Sequence, residues 1–479
     1  MLDIKPFLFK VNDVHYLYDD CTGIVLPLNN NEYNFIESLD EKSDLDKMQV
    51  EEELCVLIKK IKKYGLFVRR KEHNDLQYSE AGVKDYICKE GIKHMCLILT
   101  DDCNFRCKYC IFSDHYKFSK HYSDRKMSFD VAKKAVDYYF DMNSVSWTYN
   151  PYLQPSIGFY GGEPLLCWDM IVGVVEYVKE KAKDCVFSIT TNGYLLDKEK
   201  ILYMLNNRFS ISISLDGSQG EHDRNRVDRA GKGTFQKVYS NIKLLENETR
   251  RMKQQGEEPL PYNILITYDN LTKLDEVDGF FRENPWLQDR IVNINKVNAQ
   301  NTDYYDTQSD NSMIVSRRSQ LDNLFEEHLI NIKDAKENKF LETLFNGFTS
   351  NCANRVCYHE NELRGICIPG SHKLAVDVIG NFHICEKINP NYSIGDVWGG
   401  LDFKKIAEYI SDVLLIFNEK CKSCNIRNVC NMCYVNLEGD GKFTFNDSLC
   451  AEVKDSMAAS FGLYYSILLN KKEDRESVF

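Results

Sequence analysis

Short apolar runs and helical apolar stripes divide this chain into recognisable units. Phe7-Leu8-Phe9-Lys10-Val11, Val14-His15-Tyr16-Leu17-Tyr18 and Ile24-Val25-Leu26-Pro27-Leu28 read as strands, with Asp19-Asp20-Cys21-Thr22-Gly23 as a turn between the last two. Asn29 to Asn31 can cap a helix from Glu32, and Leu54, Leu57, Ile58 and Ile61 draw a helical stripe through residues 50–64, with lysines on the other face. Residues 1–75 thus predict a small α+β domain, winged-helix-like in its element order, and the polar stretch 69–80 opens a linker that runs through 76–92. From Lys93, strand patterns near 94–100, 155–160, 185–190, 209–215, 262–268 and 290–296 alternate with helical ones near 129–142, 168–182, 198–206, 234–247, 270–283 and 316–336. Six β/α units predict an α/β fold, a parallel barrel or partial (β/α)6 barrel over 93–310. Residues 311–350 read as a charged helical bridge, and 351–479 as a cysteine-dense third region closed by a helix.

Composition narrows the function classes. At 479 residues the prior is roughly three domains. A formal charge of -12 does not favour a phosphate-binding surface, so nucleic acid is not the expected partner. No run approaches the length of a membrane span, and the first residues lack a signal-peptide layout, so a cytoplasmic protein without a membrane partner is expected. Eighteen cysteines in that compartment are better metal or redox ligands than disulfides. The scattered ones, Cys21, Cys55, Cys88, Cys96, Cys167 and Cys185, read as small buried apolar residues.

Cys103-Asn104-Phe105-Arg106-Cys107-Lys108-Tyr109-Cys110 is the candidate chemical centre. It follows the first barrel strand, and carboxyl ends of barrel strands are where such folds keep their chemistry. Three thiols can close on an inorganic centre but leave a four-ligand site one short. That spacing fits an iron-sulfur cubane with one iron open to a small chelating molecule; part of a zinc site is the other reading. The loop resembles that of radical S-adenosylmethionine (SAM) enzymes, and further motifs carry the resemblance. Gly158-Phe159-Tyr160-Gly161-Gly162-Glu163-Pro164, Ile189-Thr190-Thr191-Asn192-Gly193, Ser212-Ile213-Ser214-Leu215-Asp216-Gly217 and His222-Asp223-Arg224-Asn225-Arg226 follow successive strands. The resemblance implies a 4Fe-4S cluster on Cys103, Cys107 and Cys110, with SAM on its open iron. It places Gly161, Gly162 and Glu163 at the SAM amino group, Ser214 and Arg226 at its ribose and carboxylate, and Tyr109 near its adenine. Thr190 and Asn192 join this cofactor-binding set. Each motif also has an ordinary reading as a turn, a surface charge or, for Tyr109, a core side chain.

The third region carries Cys367, Cys385, Cys421, Cys424, Cys430, Cys433 and Cys450, and resembles the SPASM extension of the same enzymes, which binds two auxiliary 4Fe-4S clusters. That family has three residues between its last close cysteine pair, whereas Cys430 and Cys433 have two between them. The implied pairing gives Cys367, Cys385 and Cys433 to the first auxiliary cluster, with Cys357 as fourth ligand and Cys352 in reserve. Cys421, Cys424, Cys430 and Cys450 go to the second. A zinc ribbon on Cys421/Cys424 and Cys430/Cys433 is the competing reading. Glu386 lies where the sulfatase-maturing branch has a catalytic acidic residue, and otherwise reads as a solvated side chain. The N-terminal order resembles domains that bind the leader of a ribosomally made precursor peptide as an added strand.

Together these resemblances imply a radical SAM peptide maturase with SAM and three 4Fe-4S clusters. Its partners would be a precursor peptide with a leader and an electron donor such as flavodoxin or ferredoxin. Its reaction would be oxidative cross-linking, with cysteine thioethers favoured over carbon-carbon or carbon-oxygen links. A formylglycine-forming sulfatase maturase and a non-catalytic electron carrier or zinc-bound interaction protein are the rivals.

Overall fold

The computed structural model describes residues 2–40, 43–69, 78–118, 120–298, 300–306, 311–358 and 362–471, apart from the side chains of 311–318. Its strands form two sheets. In the first, β1 (Phe7–Val11), β2 (Val14–Tyr18) and β3 (Val25–Leu28) run antiparallel. A two-residue turn joins β1 to β2, and Asn12 takes the left-handed backbone it requires, φ 52°. Asn29 then caps α1 (Asn30–Ser38) through a reciprocal bond pair with Glu32. Helix α2 (Glu52–Tyr64) buries Leu57, Ile58 and Ile61 and stops at left-handed Gly65.

Residues 70–77 of the expected linker lie outside the described residues. Residues 80–90, expected to continue it, instead form α3 (Glu80–Glu90), capped by Ser79, with Val83 and Ile87 buried. Two apolar positions four apart on an otherwise polar segment are too few to register as a helical stripe, yet they suffice to seat one short helix.

The second sheet is organised on β4 (Met95–Ile98), β5 (Ser156–Tyr160), β6 (Val186–Thr191), β7 (Phe209–Ser214), β8 (Asn263–Tyr268) and β9 (Ile291–Lys296), parallel and in sequence order. Each falls where the apolar runs predict it. The crossovers carry α4 (Phe129–Tyr149), α5 (Trp168–Lys181), α6 (Lys198–Asn206), α7 (Gln219–Asn225), α8 (Phe235–Gln254), α9 (Leu274–Glu283) and α10 (Pro285–Gln288). Strand alternation divides the sheet into two unlike faces. Leu97, Phe159, Phe187, Ile189, Phe209 and Ile211 are buried in one core with Val136, Val174 and Ile242 of the helices. Ser188, Thr190, Ser210, Ser212, Ser214, Leu265 and Thr267 alternate with that set and are only half-buried. A polar, partly open face opposite an apolar helix-packed one is the layout of a sheet that holds a ligand inside its curve.

Beyond α11 (Asn311–Asp334) and α12 (Lys339–Ala353), the chain returns to the free edge of β4. There β10 (Leu374–Val376) pairs parallel with β4, and β11 (Asn381–His383), β12 (Ser393–Asp396) and β13 (Gly400–Leu401) extend the sheet antiparallel. Helices α13 (Phe403–Lys420), α14 (Tyr434–Leu437) and α15 (Asp447–Asn470) follow. The N-terminal sheet does not stand apart from this region. Phe461 of α15 sits 5.1 Å from the Phe9 ring and 4.7 Å from that of Tyr18, inside a buried group that includes Phe7, Tyr16 and Tyr465.

Candidate active site and cluster ligands

The cysteine loop leaves β4 and is held on two sides. On one, Arg106 and Lys108 donate backbone N–H bonds to Val227 and Asn225 at 2.8 and 3.1 Å. On the other, glycines bring β5's end against it. Gly162 donates to Thr100 and Glu163 to Asp102, both at 2.8 Å. A Cβ on Gly162 would stand 2.1 Å from the Asp102 carbonyl oxygen, and one on Gly161 (φ 148°) 2.5 Å from that of Thr100. The Gly-Gly pair therefore serves backbone-to-backbone packing.

Cys103 is buried, and the Phe105 N–H points at its sulfur from 3.3 Å; the Phe112 N–H stands 3.4 Å from the Cys110 sulfur. Burial pushes the Cys107 thiol up to about 12, Cys110 adds to this, and Arg226 opposes it. Burial likewise raises Cys103, which lies within the electrostatic reach of both Cys107 and Cys110. Three neighbouring thiols this poorly solvated are unfavourable as free anions, and a bound metal removes the difficulty by holding them deprotonated. N–H groups aimed at two of the sulfurs fit cluster ligation.

Glu163 is 1% exposed at the end of β5. Its Oε1 accepts from Thr191 Oγ1 at 2.6 Å and the Leu165 N–H at 3.0 Å, and its Oε2 from the Asn192 N–H at 2.8 Å. Burial outweighs these bonds and raises the carboxyl to about 7. Asn192 also donates to Asn104 Oδ1 at 2.8 Å, tying β6's end to the cysteine loop. Thr191, which sequence reading passed over for Thr190, is the residue that holds Glu163; strand parity separates the two, since Thr190 and Ser214 lie on the open polar face.

Arg226 and Tyr109 meet at a residue outside the expected site set. Asp216 Oδ2 accepts from Arg226 Nε at 2.8 Å and from the Tyr109 hydroxyl, while its Oδ1 accepts from the Thr267 N–H at 2.9 Å. Burial disfavours the Arg226 cation, but Asp216, Tyr109 and Cys107 together outweigh it and keep the guanidinium charged. Arg226 is thus braced by an internal carboxylate.

Electrostatic coupling divides the cysteines from Cys367 onward into two sets. Burial raises Cys367 and Cys385, the latter to about 11, and Cys433 contributes to both. Cys421 acts on Cys424, Cys430 and Cys450, all likewise raised, chiefly by burial. Arg364 Nη2 stands 3.7 Å from the Cys421 sulfur, and its Nε is buried without a hydrogen-bond partner, which fits an anionic group there. A cavity of about 300 Å³ carries Cys430 and Cys433 on its wall. Cys357 lies against the N-terminal sheet, its sulfur 3.6 Å from the position a Gly23 Cβ would take, and Cys352 is fully buried among Phe7, Tyr18 and Phe461. Among the described residues no trio of His, Cys, Asp or Glu is gathered as for a single metal ion. A cubane spreads its ligands around a larger body than a lone zinc with bonds of about 2.3 Å.

Glu386 is buried rather than solvated. Burial alone would raise its carboxyl, but Lys373, 3.0 Å away, together with a backbone N–H and Lys387, outweighs this and holds it below the usual range. Its backbone carbonyl accepts from buried Lys120 at 2.8 Å. Tyr160, raised mainly by burial, feels both Glu386 and Cys110, so the Cys385–Glu386 corner and the cysteine loop approach one another near the end of β5.

Residues 97–252 match the Radical SAM superfamily. That stretch is a radical SAM domain. Such a domain implies SAM and a 4Fe-4S cluster. The chain is similar to the cysteine-type anaerobic sulfatase-maturating enzyme of Clostridium novyi, 29% identical over 38% of this chain and 46% of that one. It is also similar to the radical SAM cyclopropyl synthase TigE of Paramaledivibacter caminithermalis, 25% identical over 33% of each. These matches span half or less of the relatives' length. In fold it resembles native anSMEcpe with bound AdoMet and Cp18Cys peptide: TM-score 0.53, 19% identity, 78% of this chain and 98% of that one. Among the described residues no helix is long and apolar enough to cross a membrane.

The Gly162 contact generates a direct test. Gly162→Ala forces the Asp102 carbonyl to move, so the purified variant should lose iron equivalent to one cluster. Full iron with unchanged SAM binding would mean that the loop tolerates the displacement.

Proposed function

We propose that this chain is a radical SAM peptide maturase that oxidises a peptide substrate held against the polar face of the β4–β9 sheet. The observation that carries this reading is the bond from buried Lys120, downstream of the Cys103–Cys110 loop, to the Glu386 carbonyl, which ties that segment to the Cys385–Glu386 corner. Cys103, Cys107 and Cys110 would hold one 4Fe-4S cluster, Cys367, Cys385 and Cys433 a second with Cys357 the candidate fourth ligand, and Cys421, Cys424, Cys430 and Cys450 a third. When bound, the first cluster and SAM supply a 5'-deoxyadenosyl radical able to take hydrogen from an unactivated carbon. The chain's own residues bind and orient. Glu163 would accept the SAM amino group, with Thr191 and Asn192 fixing its carboxylate; Asp216 would brace Arg226 and Tyr109 beside the cofactor; the Ser and Thr side chains of β6 and β7 would line the ligand face. The helix-packed core excludes water from behind the sheet, which limits loss of a reactive species to solvent.

The finer reading is cross-linking of a ribosomally made precursor through cysteine thioethers, with residues 1–75 engaging its leader and a flavodoxin or ferredoxin supplying electrons. A second reading, formylglycine formation on a sulfatase, is favoured by the similarity to the sulfatase-maturating relative and by Glu386 beside Cys385. Lys373 distinguishes their demands, because a general base would have to act while ion-paired.

Glu163 predicts a pH signature. A neighbouring ammonium lowers a carboxyl raised to about 7, so binding SAM should release a proton below that pH. SAM affinity should therefore rise by up to about tenfold per unit as pH approaches 7, then level off. Calorimetry should find this slope abolished in Glu163→Gln; a slope unchanged by that substitution would remove Glu163 from the amine site. The product test is mass spectrometry with thiol alkylation. Thioether formation removes two hydrogens per link and leaves a cysteine that alkylating agents no longer label. A new aldehyde at a residue that has lost its cysteine sulfur, with no link to a second residue, would support the sulfatase reading instead.

A further inference from the structure

The five residues between Cys424 and Cys430 form no helix or strand, so contacts elsewhere must set the geometry of these ligands. Those contacts come largely from the opposite end of the sequence. Asp20, fully buried just after β2, accepts the Asn428 N–H on Oδ1 at 2.8 Å, and its backbone carbonyl accepts from Asn428 Nδ2 at 2.6 Å. Tyr18 donates to the same Oδ1 at 3.2 Å. Arg69 donates to the Cys424 carbonyl at 2.8 Å and lies 3.9 Å from Asp20 Oδ2, and Asn425 donates to the Pro6 carbonyl at 3.1 Å. Ile426 and Val429, the apolar residues of this segment, are buried in one group with Phe7, Tyr18 and Phe461. Every other residue from 424 to 429 except Arg427 is thereby tied to the N-terminal unit.

Charge points the same way. Arg69, Arg364 and Arg427 are all buried here, and Arg427 is pushed down to about 10 by burial and by the other two guanidiniums, with Cys421 and Asp20 opposing. Crowded buried cations are costly unless anions face them. Asp20 is one such anion, and four thiolates of a bound cluster would supply the rest.

We infer that the N-terminal unit is a wall of the second auxiliary cluster site, and that Asp20 is the positioning residue that shapes the Cys424–Cys430 ligand loop. This rests on the reading of Cys421, Cys424, Cys430 and Cys450 as cluster ligands. It makes residues 1–75 more than a tethered peptide-capture module, since removing them also removes the bonds that shape this loop.

The test uses the full-length chain, reconstituted anaerobically with iron and sulfide, as wild type, Asp20→Ala, Asp20→Asn and Cys424→Ala. Iron and sulfide per chain are measured, together with the electron paramagnetic resonance of the reduced protein with and without SAM. Asp20→Ala should lose about a third of the iron, as Cys424→Ala does, while the SAM-responsive signal persists. Asp20→Asn keeps an acceptor for the Asn428 N–H but removes a negative charge, so it should retain iron and shift the auxiliary midpoint potential upward. Wild-type iron in Asp20→Ala alongside a depleted Cys424→Ala overturns the inference alone. Undiminished iron in Cys424→Ala overturns the ligand reading and the inference with it. If Asp20→Ala loses the SAM-responsive signal as well, the potential of Asp20→Asn decides, and an unshifted value is contrary.

Discussion

The close approach of Gly161 and Gly162 to the Thr100–Asp102 backbone is the constraint on which the candidate site depends. It leaves no space for a side chain, so β5's end and the cysteine loop pack backbone against backbone. The same step in the chain turns Glu163 inward, where Thr191 and Asn192 from the next strand grip its carboxylate. Asn192 then returns to Asn104, and Asp216 beyond the fourth strand braces Tyr109 and Arg226. Three successive strand ends are thus laced to one loop by polar bonds, mostly between side chains. Such a framework can hold a bound cofactor in register.

The C-terminal region is joined to that framework rather than appended to it. By pairing with β4, β10 covers an edge that would otherwise be exposed, and the antiparallel strands after it carry the chain to Cys385 and Glu386. Cys96, on the inner face of β4, feels Glu386, Lys373 and Cys385 together. One continuous sheet therefore carries two cysteine groups near its first strands. The third group is shaped from the other side, by the N-terminal sheet and α15 around Phe461.

Much of this was legible in the sequence because periodicity reports local burial. The six parallel strands, their helices, the N-terminal hairpin and the Asn29 cap all follow from apolar spacing. The cysteine groupings follow from spacing only through family resemblance; in the structure Cys357 lies against Gly23. Short strands such as β13, two residues long among glycines, carry no periodic signal. Thr191 and Asp216 were missed for a different reason: each acts on a side chain from another strand, so its role exists only once strands are placed side by side. The Asp20–Asn428 contact joins residues 408 apart in the chain, and nothing in the pattern around either one announces the other.

The central claim is that Cys103, Cys107 and Cys110 hold the cluster on which SAM is cleaved. Its most direct test replaces all three with alanine and measures iron, sulfide and 5'-deoxyadenosine from SAM under a strong reductant. The account predicts loss of one cluster's iron and of all deoxyadenosine, with the auxiliary iron retained. Continued deoxyadenosine formation by the triple variant would contradict it.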